Sequence, residues 1–167
     1  MTDTHSRIPL AYLITFRSYG TWLHGDERGS VDRHRNRYES PRIAKTGPWF
    51  RANAQTLKHP PVTLDAARRR AVKAAIHETC AVRGWQLHAL NVRTNHVHIV
   101  VSAACEPERV LTALKAYATR QMRETGCWPR EHSPWAEGGS RRYLWSESSV
   151  QSAVVYVLDG QGEPLPD

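Results

Sequence analysis

The chain has little cysteine, a shortage of acidic residues and no long apolar run, and each shortage removes a class of protein. Cys80, Cys105 and Cys127 are odd in number, far apart and without a C-x-x-C pair. Neither a disulfide framework nor a structural zinc site is indicated. No apolar stretch approaches membrane-spanning length. The opening residues Met1-Thr2-Asp3-Thr4-His5 lack the charged and apolar regions of a signal peptide. The expectation is a soluble cytoplasmic protein with no membrane contact. At 167 residues the chain is the size of one domain and long enough to bury a core without covalent staples.

The acidic shortage sets 16 Asp and Glu against 23 Lys and Arg, a net charge of +7, which favours a polyanionic partner. The basic residues are grouped: Arg33, Arg35 and Arg37 around His34; Arg68, Arg69 and Arg70; Lys115, Arg120 and Arg123; Arg141 and Arg142. Trp22, Trp49, Trp128, Trp135 and Trp145 are interleaved with them. Phosphate-neutralising charge mixed with base-stacking rings is what single-stranded nucleic acid needs. Solvated helix faces and core tryptophans would give the same composition, which does not separate the two.

Leu10–Arg17 alternates Tyr12, Ile14 and Phe16 and reads as a central strand. From about 19 to 62 the pattern dissolves into Gly, Pro, Arg, His and Asp. So long a connection inside a compact domain is either functional or hides local structure. It reads as a substrate-contacting insertion, with Trp22, His24 and the run from Arg33 to Arg37 as its reactive surface. Thr63 can cap a helix from Leu64, in which Ala67, Ala71, Val72, Ala75, Ile76 and Cys80 recur at three and four before Gly84. Trp85–Leu90 alternates as a second strand, and Arg93-Thr94-Asn95 turns the chain back. Pro107 opens a helix striped by Val110, Leu111, Leu114, Tyr117, Ala118 and Met122. Arg141–Trp145 reads as a short strand. Ser146 or Ser148 can then cap a last helix through Val150, Val154, Tyr156 and Val157 to about Asp159, ended by Gly160 and Gly162. The order βαββαβα predicts an α+β fold: a ferredoxin-like split βαβ antiparallel sheet with an extra C-terminal helix carrying a tyrosine.

The densest signal is Asn95-His96-Val97-His98-Ile99-Val100-Val101. Strand side chains change face at each residue, so Val97, Ile99 and Val101 face one way while His96 and His98 share the other. Two imidazoles a strand repeat apart on a rigid sheet are candidate metal ligands, since neutral imidazole is the commonest one. A solvated or hydrogen-bonded pair of histidines is the simpler alternative.

With a helical tyrosine about sixty residues later, this motif resembles the single-tyrosine HUH transposases, of the IS200-like and REP-associated kind. The resemblance extends to Leu114-Lys115-Ala116-Tyr117 and to Trp145 before the last helix, and leaves the 19 to 62 insertion without a counterpart. It implies a DNA strand-cutting enzyme in the cytoplasm, near the nucleoid, in which His96 and His98 hold Mg²⁺ or Mn²⁺. Tyr156 would attack the phosphodiester of single-stranded or hairpin DNA and remain on its 5′-phosphate. A phenol titrates near pH 10 when unperturbed, so a nearby cation must favour its ionised form. Tyr117 is the competing tyrosine, at a spacing that suits a core. The family's third ligand is a Gln or Asn four residues after the tyrosine, where this chain has Gly160; Gln161 fits by type and Asp159 by its place on the helix. Arg33, Arg35, Arg37, Trp22, Arg93, Lys115, Arg120, Arg141 and Arg142 are the expected DNA contacts, in a monomer or a homodimer. The readings from other classes are a domesticated, non-cleaving nucleic-acid binder and a water-using phosphodiesterase with His88 or His24 as its base.

Overall fold

The structure is a computed structural model that describes residues 7–20, 30–31, 42–43 and 57–166. Strand β1 (Ala11–Arg17) is followed by two short paired strands, β2 (Ser30–Val31) and β3 (Arg42–Ile43), within the long connection. Helix α1 (Ala66–Arg83), strands β4 (Gln86–Val92) and β5 (His96–Ser102), helix α2 (Pro107–Glu124), strand β6 (Ser140–Leu144) and helix α3 (Glu147–Asp159) complete the order. The main sheet runs β4-β5-β1-β6, with every neighbouring pair antiparallel. That is the split βαβ arrangement, an α+β fold in which β5 is inserted between β1 and β4.

Alternation along the two central strands divides the interior into two layers. Tyr12, Ile14 and Phe16 of β1 and Val97, Ile99 and Val101 of β5 meet α1 and α2 in the larger core, with Val72, Ile76, Leu114 and Met122. Ala11, Leu13 and Val100 point the other way and meet Ala153 and Val157 of α3. Each aliphatic side chain buried here contributes roughly 1.5–3 kcal/mol relative to exposure. The final helix is therefore a second cover on the sheet face that bears the histidines.

Local chemistry sets the helix ends. α1 is capped by Asp65, whose carboxylate accepts from the Arg68 N–H, and not by Thr63. The two residues before Asp65 are occupied otherwise: the Leu64 N–H donates to Thr94 O at 2.6 Å, and Thr63 O accepts from the Arg68 guanidinium. Gly84 ends the helix at φ 70°, a left-handed value that favours glycine. Pro107 occupies the first turn of α2, where its missing N–H costs nothing. Ser146 caps α3 in a reciprocal box with Ser149.

Two tryptophans expected to stack on bases lie in the core. Trp128 and Trp135 are buried, their indole N–H groups donating to His132 O and to Lys115 O and Thr119 Oγ1. Trp145 is 44% exposed and stacks on Tyr143, with ring centroids 5.8 Å apart.

Lys115 is committed to the loop before β6, where its ammonium donates to Ala136 O and Gly138 O. Burial, reinforced by the nearby Arg17 charge and opposed by Glu137, lowers its pKa to about 8. An unfolded lysine titrates at about 10.4, so between those values the unfolded chain binds the extra proton and stability rises with pH. We expect the stability of wild type relative to Lys115→Met, measured by urea unfolding, to increase between about pH 8 and pH 10. A difference that stays flat across this window would place the ammonium in solvent.

Candidate active site on the histidine face

β5 and β1 build the floor of the site. His98 is 2% exposed and lies opposite Thr15 in the β1 register, and its Nδ1 is 2.8 Å from Thr15 Oγ1. His96 lies opposite Arg17 in the same register, and its ring is 4.6 Å from that of His98. On β6, Ser140 and Arg142 pair with Thr15 and Leu13 and extend this face. Arg17 is thus aligned with the histidines across the sheet. The sequence pattern did not single it out, because it closes an apolar strand and belongs to no basic cluster.

α3 supplies the wall. The Asn91 amide of β4 donates to Val157 O at 2.9 Å and holds the helix on the sheet. The Tyr156 ring comes edge-on to His98, with centroids 5.4 Å apart. The helix stops at Asp159, and Gly160 follows with its N–H donating to Tyr156 O. A Cβ at position 160 would meet that same carbonyl oxygen at 2.7 Å, so the close turn requires glycine. The turn carries Gln161 back over the helix end. Its amide N–H donates to Tyr156 O at 3.1 Å, and its Oε1 lies 3.4 Å from His96 Nε2. Asp159 is exposed, so of the two expected third donors it is Gln161 that meets His96.

The hydrogen-bond pattern bears on what this set can hold. His96 Nδ1 is 2.5 Å from Asn95 Oδ1, while Nε2 faces Gln161 Oε1. A neutral imidazole has one N–H. It can donate to only one of these oxygens, and the other nitrogen then opposes an oxygen lone pair to lone pair. In the tautomers that carry the proton on Nδ1, His96 would donate to Asn95 and His98 to Thr15, and Nε2 would be the ligating nitrogen of each. Two imidazoles and an amide oxygen are donors that could hold a divalent ion. Among the described residues no group of three His, Cys, Asp or Glu side chains is placed to hold a metal ion, on this face or elsewhere.

The remaining expected residues separate. Arg93 is half-buried beside the site, its guanidinium donating to Glu163 O at 3.0 Å. Arg142 lies on the histidine face, whereas Arg141 points to the opposite face and pairs with Glu108 at 3.0 Å. Arg120 pairs with Glu124 on the outer surface of α2. Tyr117 is 38% exposed beneath the Arg83 guanidinium, on the far side of the sheet from the histidines. His88 sits at the β4 irregularity with Nε2 2.7 Å from Ser102 Oγ. Trp22, His24, Arg33, Arg35 and Arg37 lie outside the described residues.

The fold is thus an α+β split βαβ sheet with two imidazoles and a helix-borne phenol together on the face that α3 covers. The family model described as "Transposase IS200 like" matches residues 58–154. That span exceeds half the chain and includes both histidines, and the chain belongs to this family of DNA-processing transposases. Tyr156 lies two residues beyond it. A crystal structure of a protein from Deinococcus radiodurans R1, described provisionally as a transposase, is 14% identical, with 91% of this chain and 92% of that one covered at a TM-score of 0.49. No curated protein matches the chain.

The Asn91 anchor can be tested alone. Asn91→Ala removes one partly buried amide bond and should cost about 1 kcal/mol. Hydrogen exchange should show faster opening of α3 with the protection of β1 and β5 unchanged. Equal protection of α3 in variant and wild type would mean that apolar packing alone holds the helix.

Proposed function

We propose that this transposase nicks and rejoins single-stranded DNA carrying a hairpin, through a covalent 5′-phosphotyrosine at Tyr156. The observation that carries the reading is the contact of the Tyr156 ring with His98, on the face that His96 and Gln161 complete. In the forward step the Tyr156 phenolate oxygen attacks phosphorus, the bond to the 3′-oxygen breaks, and that oxygen leaves and takes up a proton. The phosphodiester energy is kept in the phosphotyrosine, so attack by a 3′-hydroxyl reverses the step and releases the tyrosine.

His96, His98 and Gln161 would hold Mg²⁺ or Mn²⁺, which supplies polarisation of a phosphoryl oxygen and neutralises charge in the transition state. Thr15 and Asn95 fix the two imidazole rings, and outer partners of this kind typically govern affinity by 10–100-fold. Arg17, Arg142 and Arg93 lie on or beside this face, where basic side chains can follow the phosphate backbone. Arg33, Arg35, Arg37 and Trp22, outside the described residues, are proposed as DNA contacts from residue type alone.

The test is an adduct assay on labelled hairpin oligonucleotides with Mn²⁺. Wild type should give a covalent protein–DNA band on a denaturing gel. Tyr156→Phe, which keeps the ring, should lose the band and retain binding, whereas Tyr117→Phe should behave as wild type. His96→Ala should also lose the band. An adduct that survives in Tyr156→Phe would overturn the assignment. Cleavage without any adduct would point to water as the nucleophile, and binding without cleavage to a non-cutting protein.

A further inference from the structure

The segment after α3 is held by two arginines that reach it from the body of the fold. Arg93, in the β4–β5 turn, donates to Glu163 O at 3.0 Å. Arg69, in α1, donates to Pro166 O at 2.6 Å and to Leu64 O at 2.9 Å. Arg69 is only 6% exposed, and its Nε has no hydrogen-bond partner among the described residues. Burying a guanidinium on carbonyl oxygens alone is costly. The other buried positions of helix α1 include the apolar Ala71, Val72, Ala75 and Ile76. What the guanidinium gains is a fixed point for the tail, about a hundred residues away in the chain.

Between α3 and these two tethers lies Gln161. It leaves the helix through Gly160 and is followed by Gly162 at φ 85°, so its backbone is bounded by two residues of high intrinsic freedom. Its side chain makes one bond at 3.1 Å to Tyr156 O and one long contact at 3.4 Å to His96. These alone are weak constraints on a flanking-glycine residue. The tethers remove that freedom by fixing the chain two and five residues farther on.

We propose that Arg93 and Arg69 are positioning residues that clamp the segment Gln161–Pro166 and thereby set the Gln161 amide oxygen against His96. The inference rests on the metal reading of the site and adds the means by which its third donor is placed. In an ordinary helical arrangement a ligand four residues after the tyrosine is placed by the helix itself. Here the helix has ended, and two distant guanidiniums replace it. Their order matters: Arg93 acts closest to Gln161, and Arg69 anchors the far end.

The experiment is titration of the full-length protein with Mn²⁺ alone, without DNA, followed by electron paramagnetic resonance of the free ion. Gln161→Ala and Arg93→Ala should each weaken Mn²⁺ binding by about tenfold. The double variant should also stand near tenfold, because removing the clamp matters only while the amide is present. Arg93→Lys should recover part of the loss. Arg69→Met, which fills the buried site without a charge, should weaken binding while melting as wild type does; Arg93→Ala, half-buried and outside the core, decides the matter if Arg69→Met fails to fold. Unchanged affinity in Arg93→Ala, or a double variant near a hundredfold, would overturn the clamp while leaving the metal site standing. Binding that is equal in wild type and His96→Ala would instead remove the metal site and the clamp with it.

Discussion

The two-residue period of β5 is the constraint on which the rest of the structure depends. The strand is buried on both faces, with Val97, Ile99 and Val101 in the core under α1 and α2 and with His98 and Val100 under α3. A slip of one residue would turn both histidines into the larger core and its aliphatic residues toward α3. Register is therefore locked by burial on two sides, and the site inherits that rigidity. β1 makes the same division, which is why Thr15 arrives at His98 while Phe16 packs edge-on against Trp135.

The covering helix is held by less. Ala153 and Val157 give α3 a narrow buried stripe against Leu13, Ala89, Val100 and Leu144, while Val155 and Leu158 are exposed. Small residues let the helix lie close to the sheet, and the capping box at Ser146 and the Asn91 bond at the other end fix its position. Tyr156 on this helix sits against the strand floor without being part of the main core. Burial of the floor and lighter attachment of the wall are distinct properties of the two parts.

How far each feature could be read in the sequence depends on whether its cause is local. The alternation through His96 and His98, the stripe of α2 and the Ser146 cap all follow from neighbours a few residues apart, and the observed elements match them. Asp65 displaced Thr63 as a cap because Leu64 is drawn to Thr94 O, a contact thirty residues away that no local pattern carries. Trp128 and Trp135 looked like stacking rings beside basic residues, yet their N–H groups find partners in the loop and α2 and their rings fill the core. Lys115 was grouped with surface charges although two loop carbonyls claim it. The separation of Arg141 from Arg142 follows from strand alternation, and was hidden only by treating them as one cluster.

The third donor shows where spacing stops being a measure of geometry. Along an ideal helix five residues amount to 500°, which leaves Gln161 roughly 140° away from Tyr156, whereas three residues leave Asp159 roughly 60° away. By that ruler Asp159 is the better ligand. The ruler holds only while the helix does, and α3 ends at Asp159. Beyond it the chain turns at Gly160, where a Cβ would meet Tyr156 O at 2.7 Å, and the Gln161 side-chain amide donates to that same carbonyl. Gly160 thus stands four places after Tyr156, and the next residue, Gln161, is the one whose side chain lies against His96. A substitution at Gly160 that restored a glutamine there would have to displace this turn before its side chain could reach His96.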